Sequence, residues 1–303
     1  MSLAVGIEIG GTKLQAGIGL RDGRLIALVR RTVDPSRGGA GIREQIPSLI
    51  EEAIAKAGAS PKDLVGLGIG FGGPVDSKRG RILLSHQIEG WSDFPLREWL
   101  QKKVEVPVVL QNDAKTAALA EATLGAGKGL KRIFYITVGS GVGGGLVVDG
   151  APDVGQGLGA GEIGHTWVPD PDSGKPDKLE HVASGWSIGK RGSRRLGREL
   201  SGAEVAALAG KGDATARKTV EESAEALAIG IGNVLALLHP ERLIVGGGVS
   251  LMGDLWWGPL RKALSDKYAF APFAQSYEVV PSELGEEVVV IGAVLLGLGV
   301  KKA

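Results

Sequence analysis

One carboxylate lies at a junction where it could take part in proton transfer. Asp113, preceded by Gln111 and Asn112, stands where the strand-like segment 106–110 gives way to a helical pattern running to about Leu124. A carboxylate at the head of a cleft can accept the proton of a hydroxyl that attacks a phosphoryl group. Asn and Asp are also favoured helix N-caps, and the local sequence leaves both interpretations open.

Two glycine-rich turns follow apolar segments and could hold phosphates. The first consists of Gly10, Gly11, Thr12 and Lys13, and the second of Gly139, Ser140 and Gly141. Glycine lets backbone N–H groups face a phosphate, and the threonine adds a hydroxyl donor. The spacing of a P-loop is absent, and one Gly-Gly hairpin alone is more often plain structure. Two such turns facing each other across a cleft could clamp a triphosphate.

A third group of polar residues lies in a glycine-rich part of the second half. Glu162 and His165 are three residues apart at the edge of the run 155–164, and Glu180 and His181 follow. A carboxylate beside an imidazole can grip neighbouring hydroxyls of a polyol, because the imidazole both donates and accepts. Solvated loop residues are the ordinary alternative, and a metal site has little support from these scattered groups.

The elements that must position these residues form two halves of similar design. Each half opens with a strand, a glycine turn and a second strand, and the long segment before residue 215 is interpreted as irregular. The predicted strands are 5–9, 14–20, 25–29, 65–71, 106–110, 133–138, 145–148, 243–245 and 288–291, and the predicted helices are 42–57, 94–103, 112–124 and 215–238, with a terminal helix after 291. The pattern predicts an α/β fold with ligands beyond the strand ends.

The domain organisation follows from this repeat. We predict two α/β domains around a central cleft, with bounds of 1–115 together with 291–303, and 116–290. One large α/β domain is the weaker alternative. The pair Trp256 and Trp257 is compatible with either an interface patch or a core.

Composition narrows the classes of function. Of the 303 residues, 43% are hydrophobic, which is normal for a globular protein. The formal net charge is +1, so no global electrostatic field attracts nucleic acid or an acidic membrane. No run is long and apolar enough for a membrane span, and no secretory pattern opens the chain. The absence of cysteine excludes disulfides and thiolate metal sites and fits a reducing compartment. We expect a cytoplasmic protein that binds small molecules.

In order along nearly the whole chain, these motifs resemble the ROK family of sugar kinases and sugar-responsive repressors. The turn at Gly10 resembles the family's first phosphate motif, the run 139–145 its second, and the run 241–248, with Gly247 and Gly248, its adenosine motif. The resemblance implies the actin-like, hexokinase-like ATPase fold, a duplicated ribonuclease H-like unit. It also implies ATP and Mg²⁺ as cofactors and a homodimer as the expected assembly.

The resemblance assigns roles to the polar residues. Asp113 matches the general base and Asn112 its sugar-binding neighbour. Further sugar contacts are expected from Gly73, Gln87, Glu162, His165 and Glu180. Glu8 stands where the family usually has an Asp that holds magnesium through water, and the longer side chain changes the metal geometry.

Other departures concern metal, substrate and branch of the family. No cysteine follows His165, so the zinc motif of many members is predicted absent. Gln87 stands where an Asn is frequent, so the sugar could differ from glucose. Lys115 adds a cation two residues after Asp113, which favours the ionised carboxylate. About seven residues precede the first phosphate motif, so we expect no N-terminal helix-turn-helix.

We therefore predict an ATP-dependent, glucokinase-like enzyme that phosphorylates a hydroxyl of a hexose or an N-acetylhexosamine. A non-catalytic sugar sensor of the same fold is the alternative. An actin-like filament or chaperone ATPase is disfavoured by the sugar-site residues Glu162 and His165.

Overall fold

A computed structural model describes residues 2–85, 88–268 and 276–299 of the chain. The strands are β1 (Leu3–Ile9), β2 (Lys13–Gly19), β3 (Leu25–Thr32), β4 (Leu64–Phe71), β5 (Val75–Asp76), β6 (Arg81–Ile82), β7 (Val108–Asn112), β8 (Arg132–Val138), β9 (Val142–Val148), β10 (Ala151–Asp153), β11 (Trp167–Pro169), β12 (Pro176–Lys178), β13 (Arg242–Gly246) and β14 (Glu278–Pro281). The α-helices are α1 (Gly38–Lys56), α2 (Leu96–Gln101), α3 (Asp113–Leu124), α4 (Leu179–Ala183), α5 (Gly185–Leu196), α6 (Gly202–Gly210), α7 (Ala214–Leu238), α8 (Asp254–Ala263) and α9 (Val288–Gly297).

Contacts between residues divide the chain into two compact units. The first unit contains the chain up to Gly129, the segment Val147–Ala160 and the chain from Glu283 onward. The second contains Leu130–Leu146 and Gly161–Ser282. The predicted domain bounds, 1–115 with 291–303 and 116–290, stay a prediction.

The main sheets of the chain repeat one strand order. The first is ordered β3-β2-β1-β4-β7, and the second β10-β9-β8-β13-β14. In the first, β1 pairs antiparallel with β2 and parallel with β4, and β4 pairs parallel with β7. In the second, β13 pairs parallel with both β8 and β14. The predicted α/β class and the internal repeat are confirmed.

Glycines in the strands of the first unit let α9 pack directly on the sheet. A Cβ atom at Gly6 would collide with the carbonyl of Val290, and one at Gly68 with the carbonyl of Ala293. The helix backbone therefore touches the strand backbone, an approach that side chains would prevent. The opposite face of the sheet packs against the apolar stripe of α1.

The predicted strand 288–291 is wrong, because these residues form the first turn of α9. A short apolar run of Val and Ile cannot be assigned to a strand or a buried helix by periodicity alone. Here the helix is buried between α3 and the strands β1 and β4. Burial on most sides removes the polar face that would have identified it.

The segment before α7 is more regular than predicted. It contains the hairpin β11–β12 and the helices α4, α5 and α6. Glycines suggested a loop, but a Cβ at Gly192 would collide with Val205 of α6, so this glycine allows two helices to approach closely. Trp256 and Trp257 are buried in the second unit and belong to its core. None of the helices described by the structure is long and apolar enough to cross a membrane.

Candidate active site

Three parallel strands of the first unit end side by side. The register pairs Ile9 of β1 with Phe71 of β4, and Phe71 with Asn112 of β7. The carboxyl ends of parallel strands share one edge of a sheet, where ligands bind in open α/β folds. The groups that follow these strands therefore lie at one edge: the turn at Gly10, the glycines at 72 and 73, and Asp113.

Short contacts join these strand ends. The backbone N–H of Gly72 donates to the carbonyl of Ile9 at 2.9 Å. A Cβ atom placed on Gly72 would lie 3.4 Å from Oδ2 of Asp113, so backbone and carboxylate are neighbours. The backbone N–H of Gly10 donates to the carbonyl of Lys13 at 3.0 Å and closes the first glycine turn, with Gly11 and Thr12 between them.

Asn112 caps α3 and also orients Asp113. Its Oδ1 accepts from the backbone N–H of Lys115 at 3.2 Å, and its Nδ2 donates to the carbonyl of Gly73 at 3.1 Å. The same Nδ2 lies 3.0 Å from Oδ1 of Asp113, which also accepts from the backbone N–H of Ala114 at 2.8 Å. Capping and a site role are compatible, because the cap fixes the plane of the half-buried Asp113 carboxylate.

The side chain of Lys115 is buried, with 2% of its surface exposed. Its Nζ donates to the carbonyl of Leu158 at 3.0 Å, within the first unit. The expectation that Lys115 favours the ionised form of Asp113 stays a prediction.

Glu8 is buried beside the first glycine turn, and two side chains hold its carboxylate. Gln15 donates from Nε2 to Oε2 at 2.6 Å, and Nζ of Lys13 lies 3.2 Å from Oε1. Burial raises the pKa of Glu8 above its ordinary value, and the charge of Lys13 opposes that rise without cancelling it. Gln15 in turn accepts from Nε of Arg30 at 2.8 Å, and Arg30 pairs with Glu287.

This donor set does not fit a resident magnesium site. Mg²⁺ prefers six oxygen ligands and keeps several waters, whereas both oxygens of Glu8 already bind protein donors, one of them a cation. Among the described residues, no three His, Cys, Asp or Glu side chains are grouped closely enough to hold a metal ion. The water-mediated role of Glu8 stays a prediction.

The second unit places two further glycine turns at one sheet edge. Strands β8 and β13 are parallel, with Thr137 paired to Gly246, and the turns at Gly139 and Gly247 follow them. Gly247 has φ +88°, and a Cβ there would lie 2.5 Å from the carbonyl of Val138, so the position requires glycine. Cβ atoms at Gly139 and at Gly248 would meet nothing within 4 Å, which leaves space for a ligand. Ser140 is exposed.

Glu180, an expected sugar contact, lies against the second glycine turn. Its Oε2 accepts from the backbone N–H of Val142 at 3.0 Å and would collide with a Cβ at Gly141. The backbone N–H of Gly185, at the start of α5, donates to the carbonyl of Gly139 at 2.8 Å. The turn is therefore fixed by the segment that carries Glu180.

Glu162 precedes a single 3-10 turn, Ile163–His165, and His165 ends it; both side chains are exposed. The carbonyl of Thr166 accepts from the backbone N–H of Leu179 at 2.8 Å, so the start of α4 lies beside this turn. The structure thus brings the neighbourhoods of Glu162, His165 and Glu180 together within the second unit.

Two further candidates for sugar contacts are His181 and Gln87. His181 pairs with Asp177 through Nδ1 at 2.9 Å. Gln87 lies outside the described residues, so its sugar contact stays a prediction.

Sequence reasoning missed Gln15 and Arg30, which connect Glu8 to neighbouring strands. The register pairs Glu8 with Gln15 and Gln15 with Arg30, so the three side chains share one face of the sheet. Glu8 and Gln15, polar residues within the largely apolar strands β1 and β2, were the available signal.

Comparison with known proteins agrees with this geometry. The model of the ROK family matches residues 4–299. A glucokinase of Halalkalibacterium halodurans is 33% identical, over 95% of this chain and 92% of its own length. A xylose repressor of Caldicellulosiruptor bescii is 29% identical, over 82% of this chain and 66% of its own length.

Solved structures are similar over nearly the whole chain. The ROK hexokinase of Thermus thermophilus has a TM-score of 0.84 at 31% identity, covering 99% of this chain and 100% of that one. A ROK glucokinase of Streptomyces griseus, in complex with glucose and AMPPNP, has a TM-score of 0.84 at 29% identity, covering 98% and 99%. The expected actin-like ATPase fold is confirmed, and the chain belongs to the ROK family.

Proposed function

We propose that this protein is an ATP-dependent, glucokinase-like sugar kinase that phosphorylates a hydroxyl of a hexose or an N-acetylhexosamine. The observation that carries the proposal is the convergence of Asp113 and the turns at Gly10 and Gly72 on neighbouring ends of three parallel strands. The glucokinase relatives support the same activity, and the glucose and AMPPNP complex supports a sugar acceptor and an ATP donor.

In the proposed reaction, Asp113 accepts the proton of the attacking hydroxyl. Two donors, Nδ2 of Asn112 and the N–H of Ala114, orient Oδ1, and Oδ2 faces the backbone of Gly72. A carboxylate fixed in this way needs little reorganisation as the hydroxyl attacks in line. Asn112 has a double role, because the amide that caps α3 is also the expected sugar contact.

The remaining site residues have proposed roles of two kinds. Residues of the glycine turns are assigned to the nucleotide: Gly10, Gly11, Thr12, Lys13, Gly139, Ser140, Gly141, Gly247 and Gly248. Others are assigned to the sugar: Gly73, Gln87, Asn112, Glu162, His165 and Glu180. We propose that any magnesium enters with the nucleotide, since the described residues form no cage for it.

A coupled assay of ADP formation tests the activity. Wild-type protein is supplied with ATP, Mg²⁺ and one sugar at a time from a panel of hexoses and N-acetylhexosamines. We expect sugar-dependent ADP formation with at least one of them. Absence of turnover across the panel, with calorimetry still showing sugar binding, would contradict the kinase.

A non-catalytic sugar sensor is the second candidate, and two observations favour it. Both carboxylate oxygens of Glu8 bind protein donors beside the first glycine turn. The xylose repressor shows that relatives of this chain include proteins with a regulatory name. The same assay and calorimetry distinguish a sensor from a kinase. In either case we propose a cytoplasmic protein that forms a homodimer, and sedimentation of the purified protein tests the dimer.

A further inference from the structure

The hairpin β11–β12 separates two of the proposed sugar contacts along the chain. His165 precedes the hairpin and Glu180 follows it, and the strands pair from Trp167 with Lys178 to Pro169 with Pro176. Because the hairpin closes this segment, it sets the position of Glu180 relative to the turn that carries Glu162 and His165. The geometry of the proposed sugar site therefore depends on how firmly the hairpin is held.

Apolar packing holds the hairpin only weakly. Within its strands, Val168 is buried, with 2% of its surface exposed, whereas Trp167 is 64% exposed. Burial of one valine stabilises the hairpin only a little compared with the conformational entropy lost when a hairpin is ordered. Polar interactions must therefore supply much of the free energy that stabilises the hairpin.

The tip of the hairpin satisfies its own backbone. Oδ1 of Asp170 accepts from the N–H and the hydroxyl of Ser173, both at 2.7 Å. The N–H of Asp170 donates to the carbonyl of Lys175 at 2.8 Å, and the N–H of Gly174 donates to the carbonyl of Asp170 at 2.8 Å. The hydrogen bonds from Ser173, that of its hydroxyl first, lower the pKa of Asp170.

An ion-pair cluster ties this tip to two helices. Asp172 pairs with Arg194 and, at 2.6 Å, with Arg195, both on α5. Arg195 also pairs with Glu222 of α7 at 2.6 Å and donates to Oγ1 of Thr219 at 2.9 Å. Burial works to raise the pKa of Asp172, but Arg195 and Arg194 outweigh it and hold the pKa below its ordinary value.

The cluster reaches the core through Arg191, which is 4% exposed. Its guanidinium donates to the carbonyl of Val182 on α4 at 2.7 Å and to that of Thr219 on α7 at 3.3 Å. Burial lowers the pKa of Arg191, and the neighbouring charge of Glu222 opposes this most strongly. The helix that carries Glu180 is thereby linked to the same charges as the hairpin tip.

We propose that this ionic clamp, formed by Asp172, Arg191, Arg194, Arg195 and Glu222, holds the sugar-binding segment in its binding geometry. The ion pairs hold the hairpin in place, as a structural metal ion holds other small loops. Its members are positioning residues, because they act through the hairpin and α4 and not on the ligand. The identity of the ligand as a sugar rests on the proposed function.

The variant Asp172→Asn in the full-length protein tests the clamp. Removing the carboxylate that pairs with both Arg194 and Arg195 loosens the hairpin, so we expect sugar affinity to fall about 5- to 30-fold. AMPPNP affinity, measured by calorimetry on the same protein, should be unchanged. Hydrogen exchange of the amides of Asp170 and Gly174 should accelerate, and Asp172→Glu should restore part of both losses.

The matched control is Asp266→Asn, which breaks an exposed pair with Lys262 in the same unit. Exposed pairs contribute little, so this variant should leave sugar affinity and hairpin exchange as in the wild type. A chelator should likewise leave hairpin exchange unchanged in the wild type.

Three results would overturn the clamp as a positioning device. Unchanged hairpin exchange in Asp172→Asn would show that the ion pairs do not hold the hairpin. Faster exchange with unchanged sugar affinity would remove the positioning role. Faster exchange on chelation would show that a metal holds it. If the wild type binds no sugar, the proposed function fails, whereas the exchange comparison still decides whether the ion pairs hold the hairpin.

Discussion

The two main sheets share one strand order but carry different residues beyond their parallel strands. In the first unit, β1 and β4 end at glycine turns, and β7 ends at Asn112, with Asp113 following at the head of α3. In the second unit, β8 and β13 also end at glycine turns, but β14 ends at Pro281 and is followed by Ser282. A repeated topology therefore provides two similar sheet edges, and one of them carries an acid at the head of a helix.

The glycine turns that open the two halves are also anchored differently. Beside the first, the carboxylate of Glu8 is held by the side chains of Lys13 and Gln15. At the second, the carboxylate of Glu180 binds the backbone N–H of Val142. We propose that the first edge supplies the general base, whereas the glycine turns of both edges hold the nucleotide.

The largest expected effect is on turnover. Asp113→Asn should lower kcat by about 10²–10⁴-fold, the usual contribution of a general base, with little change in sugar affinity. The control is Asp149→Asn, because Asp149 lies in an exposed hairpin turn with φ +47°, a conformation that Asn adopts readily. Steady-state kinetics and calorimetry are the measurements. A variant that keeps more than a tenth of wild-type kcat would remove Asp113 from this role.

The next effect concerns stability at the second edge. Gly247→Ala should lower the free energy of unfolding by about 2–4 kcal/mol, because φ is positive and the new methyl meets the carbonyl of Val138. Gly248→Ala is the matched control, since its methyl enters open space. Urea denaturation compares the two variants. Equal stability would contradict the geometry of the turn.

A smaller effect is expected on sugar affinity. Glu162→Gln and His165→Ala should each weaken sugar binding by roughly 5- to 150-fold, because a polar group of the bound sugar loses its partner. The affinity for AMPPNP should be the same in both variants as in the wild type. His181→Ala, whose imidazole pairs with Asp177, is the control within the same segment. Equal losses for sugar and nucleotide would contradict the assignment of this pair to the sugar.

The smallest effect is on the pH dependence of stability. Burial raises the pKa of Glu8 above 4.5, so the native state binds a proton more tightly than the unfolded chain. The contribution of Glu8 to the free energy of unfolding therefore falls as pH rises from about 4.5 through its native pKa. Glu8→Gln should remove this fall, whereas Glu51→Gln, at an exposed position of α1, should keep it. Identical pH profiles for the wild type and Glu8→Gln would contradict a raised pKa.

The sequence was sufficient to predict the α/β class and the repeated strand, turn and strand at the start of each half. Apolar runs bounded by glycine turns carried that signal. The motifs also place the turns at Gly10 and Gly139 and the carboxylate of Asp113 at strand ends, where the structure has them.

The parts of the fold that the sequence did not predict depend on contacts between residues distant in the chain. Gly189 and Gly192 lower the helix propensity of α5, so the segment was interpreted as irregular, although the glycines are needed for packing on neighbouring residues. The β-branched residues from Val288 onward have a high strand propensity, but they form a helix because it packs against β1 and β4. The ion pairs of Asp172 join positions more than twenty residues apart, beyond any local pattern.

The packing of α9 on strand glycines has a consequence for synthesis on the ribosome. Strands β1 and β4 leave the ribosome before any of the second unit, whereas the helix that covers one face of their sheet is made only after that unit. The nascent first unit must therefore wait with that face uncovered, although all of the second unit has already been made. Exposed apolar surface in an incomplete chain promotes aggregation. Synthesis of α9 thus sets the moment at which the first unit can finish folding.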